Sequence, residues 1–214
     1  MKKHNEELPP SLISALAMDL GTPDLLSKFQ PIIRIRGEVD DVMANSFQEA
    51  VDELKYNRKL DVAIVEIASE GGSVTACNEI LSCMSGSGLH FVTYCSSYAY
   101  SAAAAILSHG DKGMRFMSPY ADAMIHGFVT STGMAPVEEQ VSEIHFHEVL
   151  NDRFLSRVAK NCGISLKKLK DQIKKTGSRN LWLTPEDALN IGLVDHIGIP
   201  SLEIKSTYEI NGYK

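Results

Sequence analysis

No run of Lys or Arg in the chain is longer than a pair, and acidic residues outnumber basic ones, 27 to 21, for a formal net charge of −6. A chain with neither a basic stripe nor a basic surplus lacks the electrostatic footprint of a sequence-independent nucleic-acid binder. Metal-type spacing is also missing: Cys77, Cys83, Cys95 and Cys162 form no Cys-x-x-Cys pair and no Cys/His cluster. Two of them fall in apolar-periodic segments, so reduced core thiols in a cytoplasmic protein are expected. No apolar run approaches the ~20 residues of a membrane span. Glu6, Glu7, Pro9 and Pro10 precede the short apolar run Leu12 to Met18, an order that suits a signal peptide poorly. What the chain does have is 214 residues at 44% hydrophobic content, enough for one domain with a substantial core.

Residues 1–30 read as an arm outside that core, with a short helix over Ser11 to Leu20 ended by the turn Gly21-Thr22-Pro23-Asp24. From Pro31 the pattern sharpens. Ile32 to Arg36 is a strand broken at Gly37, and an amphipathic helix follows from about Asp41 through Tyr56, with Val42, Phe47, Val51 and Leu54 near one face. Val62 to Ile67 is a second buried strand, and Gly71-Gly72 turns it into a helix running to about Met84. His90 to Cys95 is a third strand, followed after a short turn by Ser101 and an alanine-rich helix. Two further short strands, Met114 to Met117 and Ala123 to His126, precede a Gly/Ser/Thr-rich segment to Ala135. A long helix from Pro136 to Asn161 carries the stripe Val141, Ile144, Val149, Phe154, Leu155 and Val158, which suggests packing on a neighbour as well as on its own core. His145 and His147 on it are two apart and do not share a face, so they read as structural or interfacial. Ser165 to Lys174 is a further helix with a basic face. Thr184-Pro185 caps a short helix that ends before Gly192, and Leu193-Val194-Asp195 returns to the sheet.

The stretch Tyr98 to Ile106 allows two readings. Ser101 either caps an Ala-rich core helix, or it is a nucleophile between strand and helix, with unpaired backbone N–H groups beside it to hold an oxyanion. Ala102 to Ala105 leave room either for tight helix packing or for an apolar specificity pocket. The Gly71-Gly72 turn repeats the strand-turn-helix arrangement, and two such turns at the same ends of adjacent strands face one cleft. His126, at a strand terminus before Gly127, is the obvious general base for a serine.

The order of these pieces resembles the Clp-type serine peptidases of the crotonase-like superfamily over roughly Ile33 to Ile197. The resemblance is carried by Gly37 to Asn45, Gly71-Gly72-Ser73-Val74-Thr75-Ala76, Ala99-Tyr100-Ser101-Ala102-Ala103, Lys112 to Phe116 with Met124-Ile125-His126, and Leu183 to Asp195. It implies an α/β fold, a crotonase-like (Clp protease-type) spiral of ββα units with a protruding long helix, divided into an arm at 1–30, a peptidase domain at 31–197 and a tail at 198–214. It implies a serine endopeptidase with Ser101 as nucleophile, His126 as general base, and the backbone N–H groups of Gly72 and Ala102 as oxyanion hole, with no metal or organic cofactor. It also implies a homo-oligomeric ring, heptamer or tetradecamer, a protein or peptide substrate, and an AAA+ unfoldase ATPase as partner, with no nucleic acid and no membrane. In that family the long helix and Gly127 to Ala135 lie at the ring-to-ring contact.

The chain departs from the family pattern in three places. The family's third catalytic member, an Asp, aligns with Asn180, which can accept an imidazole N–H but brings no charge; a carboxylate such as Asp171 is an alternative. Glu70 stands where the family has a proline, and the arm does not match the family's axial-loop segment. These departures keep open a catalytically weak or inactive ring subunit and a phage-type capsid-maturation peptidase of the same fold. An acyl-CoA enzyme of the crotonase type would share the oxyanion hole but leaves a Ser/His pair without a role. A membrane-type Ser/Lys peptidase is disfavoured by His126.

Overall fold

The computed structural model describes residues 31–127 and 136–201. The helix expected over Ser11 to Leu20, the segment 128–135 and the tail beyond Ser201 lie outside the described residues. Ile32–Pro200 forms one compact unit. Its described strands make a seven-stranded sheet, β1 (Ile32–Val39), β2 (Val62–Gly72), β3 (His90–Tyr100), β4 (Arg115–Met117), β5 (Asp122–His126), β6 (Asn180–Leu183) and β7 (His196–Ile197). The path β1-β2-β3-β4-β7 is parallel throughout; β5 leaves it by pairing in parallel with β3, and β6 adds to β5 antiparallel.

Parallel strands need crossover connections, and the helices supply them. Helix α1 (Asp41–Asp52) links β1 to β2 and α2 (Val74–Ser87) links β2 to β3, while α3 (Ala102–Ser108) follows β3 directly. Helices α4 (Val137–Asn161) and α5 (Leu166–Lys175) fill the span between β5 and β6, and α6 (Pro185–Ile191) leads on toward β7. This is a mixed α/β layout with a largely parallel sheet, as the sequence resemblance implied. The helix starts follow from their caps: Asp40, Ser73, Ser165 and Thr184 each accept a backbone N–H of the first turn. At α6 a reciprocal Thr184–Asp187 box and Pro185 start the helix, and Gly192 in the left-handed region ends it.

Several elements differ from the sequence expectation: β2 runs on through Gly71 to Gly72 instead of ending at Ile67, and the last strand is His196–Ile197 rather than Leu193 to Asp195. Strand β1 does not break at Gly37: it bulges there, with Gly37 at φ +78°, and pairing resumes at Glu38. Helix α1 ends at Asp52 and widens into a π-helical turn over Glu53–Asn57 instead of continuing to Tyr56. Strand β3 passes Ser96 and Ser97 and reaches Tyr100, because the strand changes partner on the way: Thr93–Cys95 pair with β4, whereas Tyr98–Tyr100 pair with β5.

Helix α3 is buried along its whole length, so its alanines serve close packing against β2 and β3 rather than an open specificity pocket. The C-terminal half of α4 packs on the core through Phe154, Leu155 and Val158, while Val141, Ile144 and Phe146 in its N-terminal half are exposed.

Arg115 is the one charged side chain in the described core, at 1% exposure. Its guanidinium grips Asp195 through Nε to Oδ2 (2.7 Å) and Nη2 to Oδ1 (2.6 Å), and Nη1 donates to the Asn161 carbonyl at the end of α4 (2.9 Å). Burial alone would raise the Asp195 pKa, but hydrogen bonds from Arg115 and Lys112, the Arg115 charge and the Gly113 N–H hold it far below the usual carboxylate range.

Candidate active site

Ser101 joins β3 to α3 in a conformation that L-residues rarely adopt, φ +55° and ψ −117°. A residue held there stores strain of about 1–3 kcal/mol, which its surroundings must hold in place. Its N–H donates to the Met124 carbonyl of β5 (2.8 Å), and its own carbonyl accepts the Ala105 N–H (3.2 Å). Its side chain forms no capping bond to α3. The capping alternative is therefore not the one this structure takes.

Strain at a serine between strand and helix needs space around it, and Gly71 supplies that space. A Cβ on Gly71 would lie 2.5 Å from the Tyr100 carbonyl oxygen and 2.9 Å from Ser101 Cβ, and Gly71 sits at φ +92°. Gly72 packs the other way; its Cβ would fall 2.4 Å from the Val39 carbonyl oxygen. The turn is pinned by Ser69, fully buried, whose hydroxyl donates to the Gly37 carbonyl at the β1 bulge (2.5 Å) and accepts the Gly71 N–H (3.0 Å). Sequence reasoning missed Ser69 and the contact of Gly71 with the serine turn. The only signal was a small polar residue two positions ahead of a glycine pair.

His126 ends β5 two residues beyond Met124, the partner of Tyr100, so register alone carries it to the neighbourhood of Ser101. Burial lowers its pKa below the ordinary 6.5, and no charged neighbour offsets that shift. Asn180 opens β6 directly opposite His126 in the antiparallel register. Directly opposed residues share a face, with Cβ atoms about 4.5–5.5 Å apart. Asp171, the alternative third member, lies exposed on α5. No hydrogen bond links Ser101 to His126, or His126 to Asn180, among the described residues; such bonds are often long without substrate.

The cleft of about 550 Å³ between α1 and α2, lined by Gln48, Asp52, Lys55, Glu79 and Cys83 among others, includes none of these residues. Among the described residues there is no cluster of three His, Cys, Asp or Glu side chains suited to a metal ion, and no helix long and apolar enough to cross a membrane. The four cysteines are unpaired, and burial pushes the thiols of Cys77 and Cys95 up to about 12 and those of Cys83 and Cys162 to about 11.

A largely parallel sheet with helical crossovers and a strained serine between its third strand and a buried helix define the class, a serine hydrolase of the crotonase-like layout. The sequence model described as Clp protease matches residues 22–200. The ATP-dependent Clp protease proteolytic subunit 1 of Rhodopirellula baltica is 33% identical over 182 residues, covering 80% of this chain and 74% of its own length. The ATP-dependent Clp protease proteolytic subunit of Streptococcus pyogenes serotype M5 is 32% identical over 173 residues, covering 78% and 83%. The chain belongs to the Clp protease family, whose members are serine endopeptidases that form oligomeric rings and work with AAA+ ATPases.

Proposed function

We propose that Ser101 is the nucleophile and His126 the general base, with Asn180 as third member, in a Clp-type peptidase domain over residues 31–197. The observation that carries this reading is the strained Ser101 turn, tied by its N–H to the strand that ends in His126. The neutral imidazole takes the Ser101 proton as Oγ attacks a peptide carbonyl, then returns it to the leaving amine; water, deprotonated by the same imidazole, releases the acyl group. The oxyanion is held by the N–H groups of Ala102 and Gly72. In support, the Ser73 N–H donates to Val39 on β1 (2.7 Å), and consecutive N–H groups of an extended strand point to opposite sides, which turns the Gly72 N–H away from β1 and toward the side of β3. Asn180 accepts the second imidazole N–H through its amide oxygen and fixes the tautomer, without the charge that would stabilise imidazolium.

In this reading the subunit assembles into a cytoplasmic homo-oligomeric ring, a heptamer or a stacked tetradecamer, that receives protein substrates from an AAA+ ATPase. The exposed apolar residues of α4 support an assembly contact. The test is labelling with a fluorophosphonate and mapping of the adduct. Modification of Ser101, lost in Ser101→Ala, is expected. No adduct in the native chain but one in Asn180→Asp would instead identify a silenced ring subunit, and none in either would sink Ser101 as an activated nucleophile.

A further inference from the structure

On β5, His126 shares its face with Met124 and Asp122, since Ala123 and Ile125 between them are buried on the other side. The register extends that face sideways. Met124 lies beside Tyr100 on β3 and Trp182 on β6, and Asp122 lies beside Tyr98. The three aromatic side chains touch in a row: Tyr98 and Tyr100 have ring centroids 5.3 Å apart, and Tyr100 meets Trp182 edge to face at 5.1 Å. Trp182 is 55% exposed, so the row ends in an accessible indole face. Two carboxylates bound it. Asp122 stands at one end, and Glu70, exposed on β2 one residue past the Ser69–Ala99 pair of the parallel β2–β3 register, stands beside Tyr100; burial raises the Tyr100 pKa first, and the charges of Asp122 and Glu70 raise it further. No ion pair neutralises either carboxylate among the described residues.

Aromatic faces and unpaired carboxylates share one complement, a cation. Indole and phenol rings attract ammonium and guanidinium groups through their negative faces, and the carboxylates add Coulomb attraction of the same sign. The patch begins at Met124, two residues or about 6.6 Å from His126 along the strand. An extended peptide whose scissile bond sits at Ser101 therefore places a side chain one or two residues away onto it. We propose that the Tyr98–Tyr100–Trp182 row with Asp122 and Glu70 is a subsite that selects a Lys or Arg side chain of the substrate next to the scissile bond. The inference rests on the assignment of His126 to the catalytic centre.

Trp182 is the only tryptophan of the chain, so its fluorescence reports this patch alone. The assembled Ser101→Ala protein, which cannot consume the ligand, is titrated with blocked peptides of equal length that differ only in Lys, Gln or Glu at one position. The expected result is a fluorescence change at about tenfold lower concentration for the Lys peptide than for the Gln one, weaker still for Glu, and eroded by salt. Asp122→Asn and Glu70→Gln, each on the same background, should each cut the Lys preference severalfold. Equal response to all three peptides, no response to any, or a Lys preference untouched by both substitutions would overturn the proposal. Catalysis is tested apart from it: a fluorophosphonate adduct on Ser101 without a Lys preference sinks only the subsite, and a Lys preference without an adduct sinks only the nucleophile.

Discussion

At the scale of single residues, Ser101 and Gly71 make one unit, the first strained and the second giving it room. Gly71→Ala introduces an unfavourable φ and a Cβ 2.5 Å from the Tyr100 oxygen. The expected cost is about 1–3 kcal/mol from backbone conformation alone, read in a urea melt, together with a loss of peptidase activity larger than that of stability. Asn180 is the residue at which this chain leaves charge out. In serine peptidases an Asp→Asn change at the third position lowers kcat by about 10⁴, so Asn180→Asp should raise kcat, with that factor as the ceiling. The pH profile supplies an independent sign. With only burial acting on His126, the imidazole stays neutral below the ordinary histidine value, so the acid limb of kcat/KM lies below 6.5. A carboxylate at 180 favours the protonated ring and should move that limb to higher pH. A limb that stays in place would show that residue 180 does not act on His126.

At the scale of elements, the strand-turn-helix units were legible because buried parallel strands read as apolar runs and Thr184-Pro185 marks a helix start; the caps at Asp40 and Ser73 came only with the structure. The extent of β3 was not legible. Ser96 and Ser97 look like a turn, yet they lie where the strand exchanges β4 for β5, and the Ser96 hydroxyl reaches the Ile67 carbonyl at 3.3 Å. Without that extension, Tyr98 and Tyr100 cannot be assigned to the face of His126, and the aromatic row stays hidden. The burial of Arg115 was missed for another reason: it was read within the strand Met114 to Met117, but nothing local marks its side chain as buried, and its partner Asp195 is eighty residues away. The extent of helix α4 was legible, and so was the packing of Phe154, Leu155 and Val158 on the core. Val141, Ile144 and Phe146 are exposed on a helix roughly 38 Å long, at 1.5 Å per residue. Replacing Ile144 and Val141 with Glu should leave the fold intact by circular dichroism and dissociate the assembly in sedimentation; an unchanged sedimentation coefficient would place the subunit contact elsewhere.

At the scale of the whole molecule, the Arg115–Asp195 pair ties β4, the end of α4 and the segment entering β7 into one body. Breaking a buried pair from one side costs about 3–5 kcal/mol, so Arg115→Met should lower the melting temperature sharply. Because the folded Asp195 pKa is depressed, its contribution is fully present above the unfolded value of about 3.9 and is lost as pH falls below it. The variant's deficit should therefore shrink when both proteins are melted at successively lower pH below 4. Helix α3 bears on durability. All seven of its residues are buried, and the serine turn is its first link to the sheet. A segment without a solvent face has no partial opening of its own, so its amides exchange with deuterium only when the domain comes apart. Heat should accordingly inactivate this protein in step with global melting, with no cooler interval in which the chain stays folded but the active centre has already failed.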